Sequence, residues 1–300
     1  MHHVDDFRVY VENVHIGHSM SGMKQHFTLK VGELERPGVA VSFLGRKKVR
    51  THDAIITVPD PKHAEKIIAW LGLSGGRSSP VPGKKLVLTE ESIVPLEGDE
   101  LALYRTFAGS AIYLALARAD LKYAAKELAR RVSKPRKCDM VYLIVVGQYP
   151  LGTKDYASRT LLESGGKSDV MSIDGLSDSD WQGCAETGKS TSGNVLMLDS
   201  MVIDSSSQTQ PGLPALSSGE SEFRSSGKCA LDLVFVKYIC DELKMKTSVP
   251  RLWADSSAGR AAANRLGPGR MRHLDTSALY IQELVKRKQL IEQDARRQEW

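Results

Sequence analysis

A change of hydrophobic pattern near residue 170 constrains the fold of this chain more than any other feature. Upstream, residues 101–115 and 121–132 are rich in Ala, Leu, Lys and Arg and predict two helices, with a break near Asp120. Pro135 stops the second, and 138–148 reads as a third, so the three make a small bundle. Ahead of them, 4–10 reads as a strand or turn edge, and Met20 to Phe27 as a short helix. Residues 39–50 and 52–58 read as two strands joined at Arg50-Thr51-His52. Pro61 opens a helix that Gly72 ends, 74–84 is a loop by composition, and 149–169 reads as a linker. Downstream the pattern turns to strands at 170–177, 194–199 and 201–204. A long helix over 221–243 follows, with Phe223, Leu231, Val234, Phe235 and Tyr238 sharing one face. A strand over 249–254 and helices over 256–266 and 274–288 complete the set. Strands first, then helix, strand and helix predict an α/β (α+β) domain around one sheet.

Composition narrows the class. The chain has 300 residues, 41% apolar and 26% charged, which suits a folded protein of about two domains. Its richest apolar stretch, 108–116, falls short of the roughly 18 residues a membrane span needs, and no basic-then-apolar leader opens it. Four cysteines, Cys138, Cys184, Cys229 and Cys240, form no CxxC pair, so they read as reduced thiols of an intracellular protein, cytoplasmic or nuclear. A net charge of +5 permits a polyanionic partner without demanding one.

Two local patterns invite chemistry. Gly183-Cys184-Ala185-Glu186-Thr187-Gly188-Lys189-Ser190 fits the spacing of a phosphate-binding loop. Such a loop must open a helix, however, and the Gly- and Asn-containing strand-like run after it predicts a hairpin connection instead. The helix over 121–131 carries Lys122, Lys126, Arg130 and Arg131. That row reads either as a surface following the phosphates of a duplex or as a solvated helix face.

Five segments, in order, carry a family resemblance. They are Gly175-Leu176-Ser177-Asp178-Ser179-Asp180-Trp181, Lys189-Ser190-Thr191-Ser192-Gly193, Ala215-Leu216-Ser217-Ser218-Gly219-Glu220-Ser221-Glu222-Phe223, Leu252-Trp253-Ala254-Asp255-Ser256 and Arg270-Met271-Arg272-His273-Leu274-Asp275. Together they resemble the ribonuclease H-like domain of copia-type retrotransposon Pol polyproteins. In the first half, His3-Val4-Asp5-Asp6, Ser42-Phe43-Leu44-Gly45, Tyr104-Arg105-Thr106 and Gly152-Thr153-Lys154-Asp155-Tyr156 resemble the end of the reverse transcriptase that precedes it.

The resemblance implies a C-terminal part of reverse transcriptase over 1–165, with a palm remnant at 1–60 and helical thumb or connection segments at 61–165. A C-terminally truncated ribonuclease H-like domain over 166–300 follows. It implies metal ligation and catalysis by Asp178, Glu222 and Asp255, and a polymerase remnant at Asp5 and Asp6. Lys122, Lys126, Arg130 and His273 become candidate nucleic-acid contacts. The implied cofactors are two Mg²⁺ (or Mn²⁺) ions, because a phosphodiester is anionic and carboxylates give such ions hard oxygen ligands. The implied partners are an RNA–DNA hybrid or primer–template duplex and the rest of the Pol polyprotein. The family's fourth acid, in an Ala-Asp pair past a last strand, has no counterpart here; Gln293-Asp294-Ala295 does not match it. A decayed copy that at most binds nucleic acid is the alternative reading. His3 stands in place of the usual Tyr, and the earlier palm acid has no match in the chain, so the purified chain is expected to incorporate no templated nucleotides in a primer-extension assay.

Overall fold

The computed structural model describes residues 2–3, 6–7, 13–32, 35–43, 46–84, 88–161, 170–199, 201–267, 269 and 279–297. At its start, β1 (His2–His3) pairs antiparallel with β2 (Asp6–Phe7), and α1 spans Ile16–His26. A four-stranded antiparallel sheet then forms in the order β3 (Ala40–Phe43), β4 (Arg46–Arg50), β5 (Ala54–Val58), β6 (Ser158–Leu161). The single strand expected over 39–50 is thus a hairpin of two.

Between β5 and β6 lie the helices. Asp60 caps α2 (Pro61–Trp70) by accepting from the Lys62 amide at 3.0 Å. Helix α3 (Gly98–Ala115) buries Tyr104, Phe107, Ala108, Ala111 and Leu114. Burying Tyr104 is tolerable because its hydroxyl donates to the Leu128 carbonyl at 2.9 Å. The expected break at Asp120 is a 3-10 turn at Ala119–Leu121, held where Arg118 and Tyr149 both donate to the Asp120 carboxylate. Helices α4 (Lys122–Arg130) and α5 (Lys137–Thr153) complete the bundle. The linker expected over 149–169 is not one as far as the structure describes it. Helix α5 continues through Pro150 to Thr153, and β6 then pairs with β5. Packing of the buried Tyr149, Pro150 and Thr153 overrides the helix-breaking propensity of proline.

The second half forms one mixed sheet in the order β11 (Ile291–Asp294), β10 (Arg251–Ala254), β7 (Ile173–Asp180), β8 (Thr191–Leu198), β9 (Met201–Thr209). Strands β7, β8 and β9 are an antiparallel meander, whereas β10 runs parallel to both β7 and β11. The segment with phosphate-loop spacing is the connection from β7 to β8, paired at Asp180 and Thr191, and leads into a strand rather than a helix. Helix α6 (Ser218–Glu242) lies on the sheet, and α7 (Ser257–Ala263) and α8 (Tyr280–Lys286) pack beside it.

The long helix buries only part of the face its bulky residues suggest: Phe223 is in the core and Val234 packs against it. Leu231, Phe235 and Tyr238 are 51%, 64% and 61% exposed, while Phe223, Ser225, Ser226, Cys229, Ala230 and Leu233 are buried. Size explains the choice. Sheet and helix meet across Gly175, where a Cβ would stand 2.7 Å from Cys229 Sγ and 2.9 Å from Leu233 Cδ1. Small side chains on both sides allow that approach, and an aromatic stripe would hold the helix away. Gly175→Ala is therefore expected to destabilise the fold by about 1–3 kcal/mol through overpacking. In a Leu233→Ala background it should cost less, as measured by urea unfolding.

Candidate metal centre

Strand register builds the first half of the site. Parallel pairing sets Ala254 of β10 opposite Ser177 of β7, so the next residues, Asp255 and Asp178, emerge side by side at one end of the sheet. Helix α6 supplies the third acid. Ser217 caps it by accepting from the Glu220 amide, and Glu220 in turn accepts from the Leu216 amide and pairs with Arg224 at 2.5 Å. With Glu220 occupied at the cap, Glu222 reaches the strand end, and the Ser179 amide donates to its Oε1 at 3.3 Å. Carboxylate oxygens of Asp178, Glu222 and Asp255 lie within 4.8 Å of one another. Asp180, the other member of its doublet, turns to the hairpin and accepts from the Thr191 amide.

Glu222 is buried and Asp178 and Asp255 are exposed. Burial, reinforced by the charges of Asp178 and Asp255 and opposed by the Ser179 hydrogen bond, pushes the Glu222 carboxyl up to about 7. Its Oε2 is buried with no hydrogen-bond partner among the described residues. No cation among the described residues forms an ion pair with any of the three acids. Three converging carboxylates, one with an orphaned oxygen, fit a hard divalent cation such as Mg²⁺ or Mn²⁺ and lack the nitrogen or sulfur donors that zinc favours.

A layer of small polar groups sets the acids. Ser225 Oγ donates to the Asp178 carbonyl at 2.8 Å and contacts Ser177 Oγ at 3.0 Å. Ser179 and Ser221 share a 2.7 Å hydrogen bond, and Gln210 Nε2 reaches the Ser221 carbonyl at 2.8 Å. Sequence reasoning missed this layer; the run of serines around Glu222 was the available signal. Beside Asp178 and Asp255 opens a cavity of about 690 Å³, bounded by Leu176, Asn194 and Ser207 on the sheet and by Lys122 and Tyr123 on α4.

The other expected site residues lie elsewhere. Asp5 and His273 fall outside the described residues, and Asp6 is in β2, away from the cluster in sequence and sheet. Lys122 lines the cavity beside the acids, and all three cations of α4 have partners within the protein. Lys122 contacts Asp204 and the Ser205 carbonyl, Lys126 contacts Thr191 and Glu127, and Arg130 contacts Glu127 and Cys184. They lie where α4 meets the second sheet, because acids and carbonyls there offer nearer partners than solvent. Asp294, next to Asp255 in strand order, pairs with Arg260 at 2.8 Å and Arg296 at 3.1 Å.

Fold and site together define a mixed α/β protein with two larger sheets among the described residues and an acidic cluster at the end of the five-stranded one. No family model matches the chain. It is 30% identical over 185 residues to the Retrovirus-related Pol polyprotein from transposon RE2 of Arabidopsis thaliana, and 29% identical over 185 residues to that from transposon RE1. Each match covers 61% of this chain and 12% of the polyprotein. It is also 29% identical over 195 residues to the Arabidopsis thaliana Uncharacterized mitochondrial protein AtMg00810, covering 64% of this chain and 77% of that protein. The chain is thus similar to a short segment of retrovirus-related Pol polyproteins, about an eighth of their length. Among solved structures it is similar to the foamy viral protease-reverse transcriptase in complex with an RNA/DNA hybrid. That match has a TM-score of 0.45 and 12% identity, and covers 87% of this chain and 30% of that one. No helix among the described residues is long and apolar enough to cross a membrane.

The raised carboxyls make stability pH-dependent in a defined direction. Glu222 holds its proton more tightly folded than unfolded, and half-buried Glu292, also pushed up to about 7, does the same. Their contribution is fully present below the ordinary value of 4.5 and is lost as pH rises through about 7. In chelator-treated protein, urea midpoints should fall across that window, and Glu222→Gln should flatten part of the fall.

Proposed function

We propose that this chain is a Pol fragment whose second sheet carries a ribonuclease H-type centre cutting the RNA strand of an RNA–DNA hybrid. Asp178, Glu222 and Asp255 would hold two divalent ions, Mg²⁺ or Mn²⁺. The observation that carries this reading is the convergence of three carboxylates from two strand ends and one helix, with an unpartnered Glu222 oxygen among them. Bound divalent ions supply an activated water and neutralise charge on the phosphodiester.

The protein's part is positional and electrostatic. Asp178 and Asp255, both exposed, present ligand oxygens at the mouth of the cavity. Glu222 contributes its second oxygen only after losing its proton, so ion binding releases a proton and strengthens as pH rises. The Ser179 amide fixes one Glu222 oxygen, and Ser225 fixes the backbone that carries Asp178. Homology to retrotransposon Pol polyproteins supports the hybrid as substrate and the remaining polyprotein as partner.

A labelled RNA–DNA hybrid incubated with the chain and Mg²⁺ or Mn²⁺ tests the reading. Cleavage should depend on the ion, and Asp178→Asn, Glu222→Gln and Asp255→Asn should each slow it by at least about 100-fold. Calorimetry of Mn²⁺ binding should show the same variants weakened. Salt-sensitive hybrid binding with neither cleavage nor ion uptake would reject the nuclease and leave the decayed-copy reading.

A further inference from the structure

The face of α6 turned away from the sheet carries an apolar seam. Leu231, Phe235 and Tyr238 recur at steps of four and three residues, the spacing of a helix–helix seam, and Ile239 and Leu243 widen it. All five are exposed, Phe235 by 64% and Leu243 by 66%. A contiguous row of this kind along one helix marks an interaction surface, unlike scattered single apolar residues. We propose that this face pairs with the same face of a second copy of the chain, the two helices running antiparallel about a twofold axis at Phe235.

Charge and register point to that occupant. With Phe235 at the axis, Leu231 of one copy meets Ile239 of the other, Tyr238 flanks that contact, and Lys228 meets Glu242. The opposite-sign pair occurs twice, once at each end of the seam, as a self-complementary interface requires. The overlap from Lys228 to Glu242 spans roughly 21 Å at 1.5 Å per residue, two to three layers of side-chain contact on each side of the axis. A parallel pairing would instead set Lys228 against Lys228 and Glu242 against Glu242, a like-charge arrangement. Lys228 already contacts Asp232 at 2.5 Å within its own helix, so its charge sits beside the seam and not across the helix from it. Glu222 lies on the buried side of α6, so the pairing leaves the acidic cluster uncovered.

Sedimentation equilibrium of the whole chain from about 1 to about 100 µM tests the pairing, since micromolar association shows in that range. The expected result is a concentration-dependent dimer. Phe235→Glu should raise the dissociation constant at least tenfold or so, with the circular dichroism melt unchanged because the side chain is exposed. Lys228→Glu and Glu242→Lys should each weaken the dimer, and the two together should restore it. A monomer throughout the range, or a dimer indifferent to Phe235→Glu, overturns the proposal. So does a dimer that Phe235→Glu dissolves but the paired charge reversal fails to restore. A monomer that instead binds a separate Pol segment through this face also overturns it.

Discussion

The contact between β7 and α6 at Gly175 is the constraint from which the rest of the second half follows. With no Cβ at Gly175, Cys229 and Leu233 reach the strand backbone. That approach buries the small-residue side of the helix and brings its first turns to the end of β7. Glu222 reaches Asp178 and Asp255 only because the helix lies this close. Assembling three carboxylates opposes folding, since like charges repel and one of them is desolvated. The protein tolerates the arrangement by raising the Glu222 carboxyl to about 7, so that it keeps a proton below neutral pH, and by fixing its neighbours with serine hydroxyls.

The first half is tied to this sheet by charge. Lys122, Lys126 and Arg130 lie along α4 and contact Asp204, Thr191 and Cys184 of the second half. Arg131 and Arg136 clasp Glu186 in the β7–β8 connection at 2.7 and 2.9 Å. Partly buried pairs of this kind set orientation more than they add stability. They also place Tyr123 and Lys122 on the wall of the cavity beside the acids, so helices from one half shape access to the site of the other.

Much of the element plan is legible in the residues themselves. Proline at 61, the break near Asp120 and the strand that ends at Asp255 all stand where local chemistry puts them, because caps, turns and strand ends are decided within a few residues. The three acids could be named from their flanking motifs, one at a time. Errors came where distant segments decide. A proline and glycines made 149–169 look like a linker, yet α5 is held through Pro150 by packing and β6 by the open edge of β5. The cations of α4 read from sequence either as a phosphate-following row or as a solvated face, and a sequence does not show that they meet Asp204, Thr191 and Cys184.

Sequence alone determined which segments become strands and helices, the order of the acidic residues, and a likeness to retrotransposon Pol polyproteins. These depend on local propensity and on motifs read in line. Tertiary structure decided which stripe of α6 is core, how the three acids come within 4.8 Å of one another, and which partners the basic residues of α4 meet. Each of those choices rests on the distance between residues far apart in the chain. That distance is set by packing volume, through a glycine that lets a helix approach a strand, and periodicity carries no record of it.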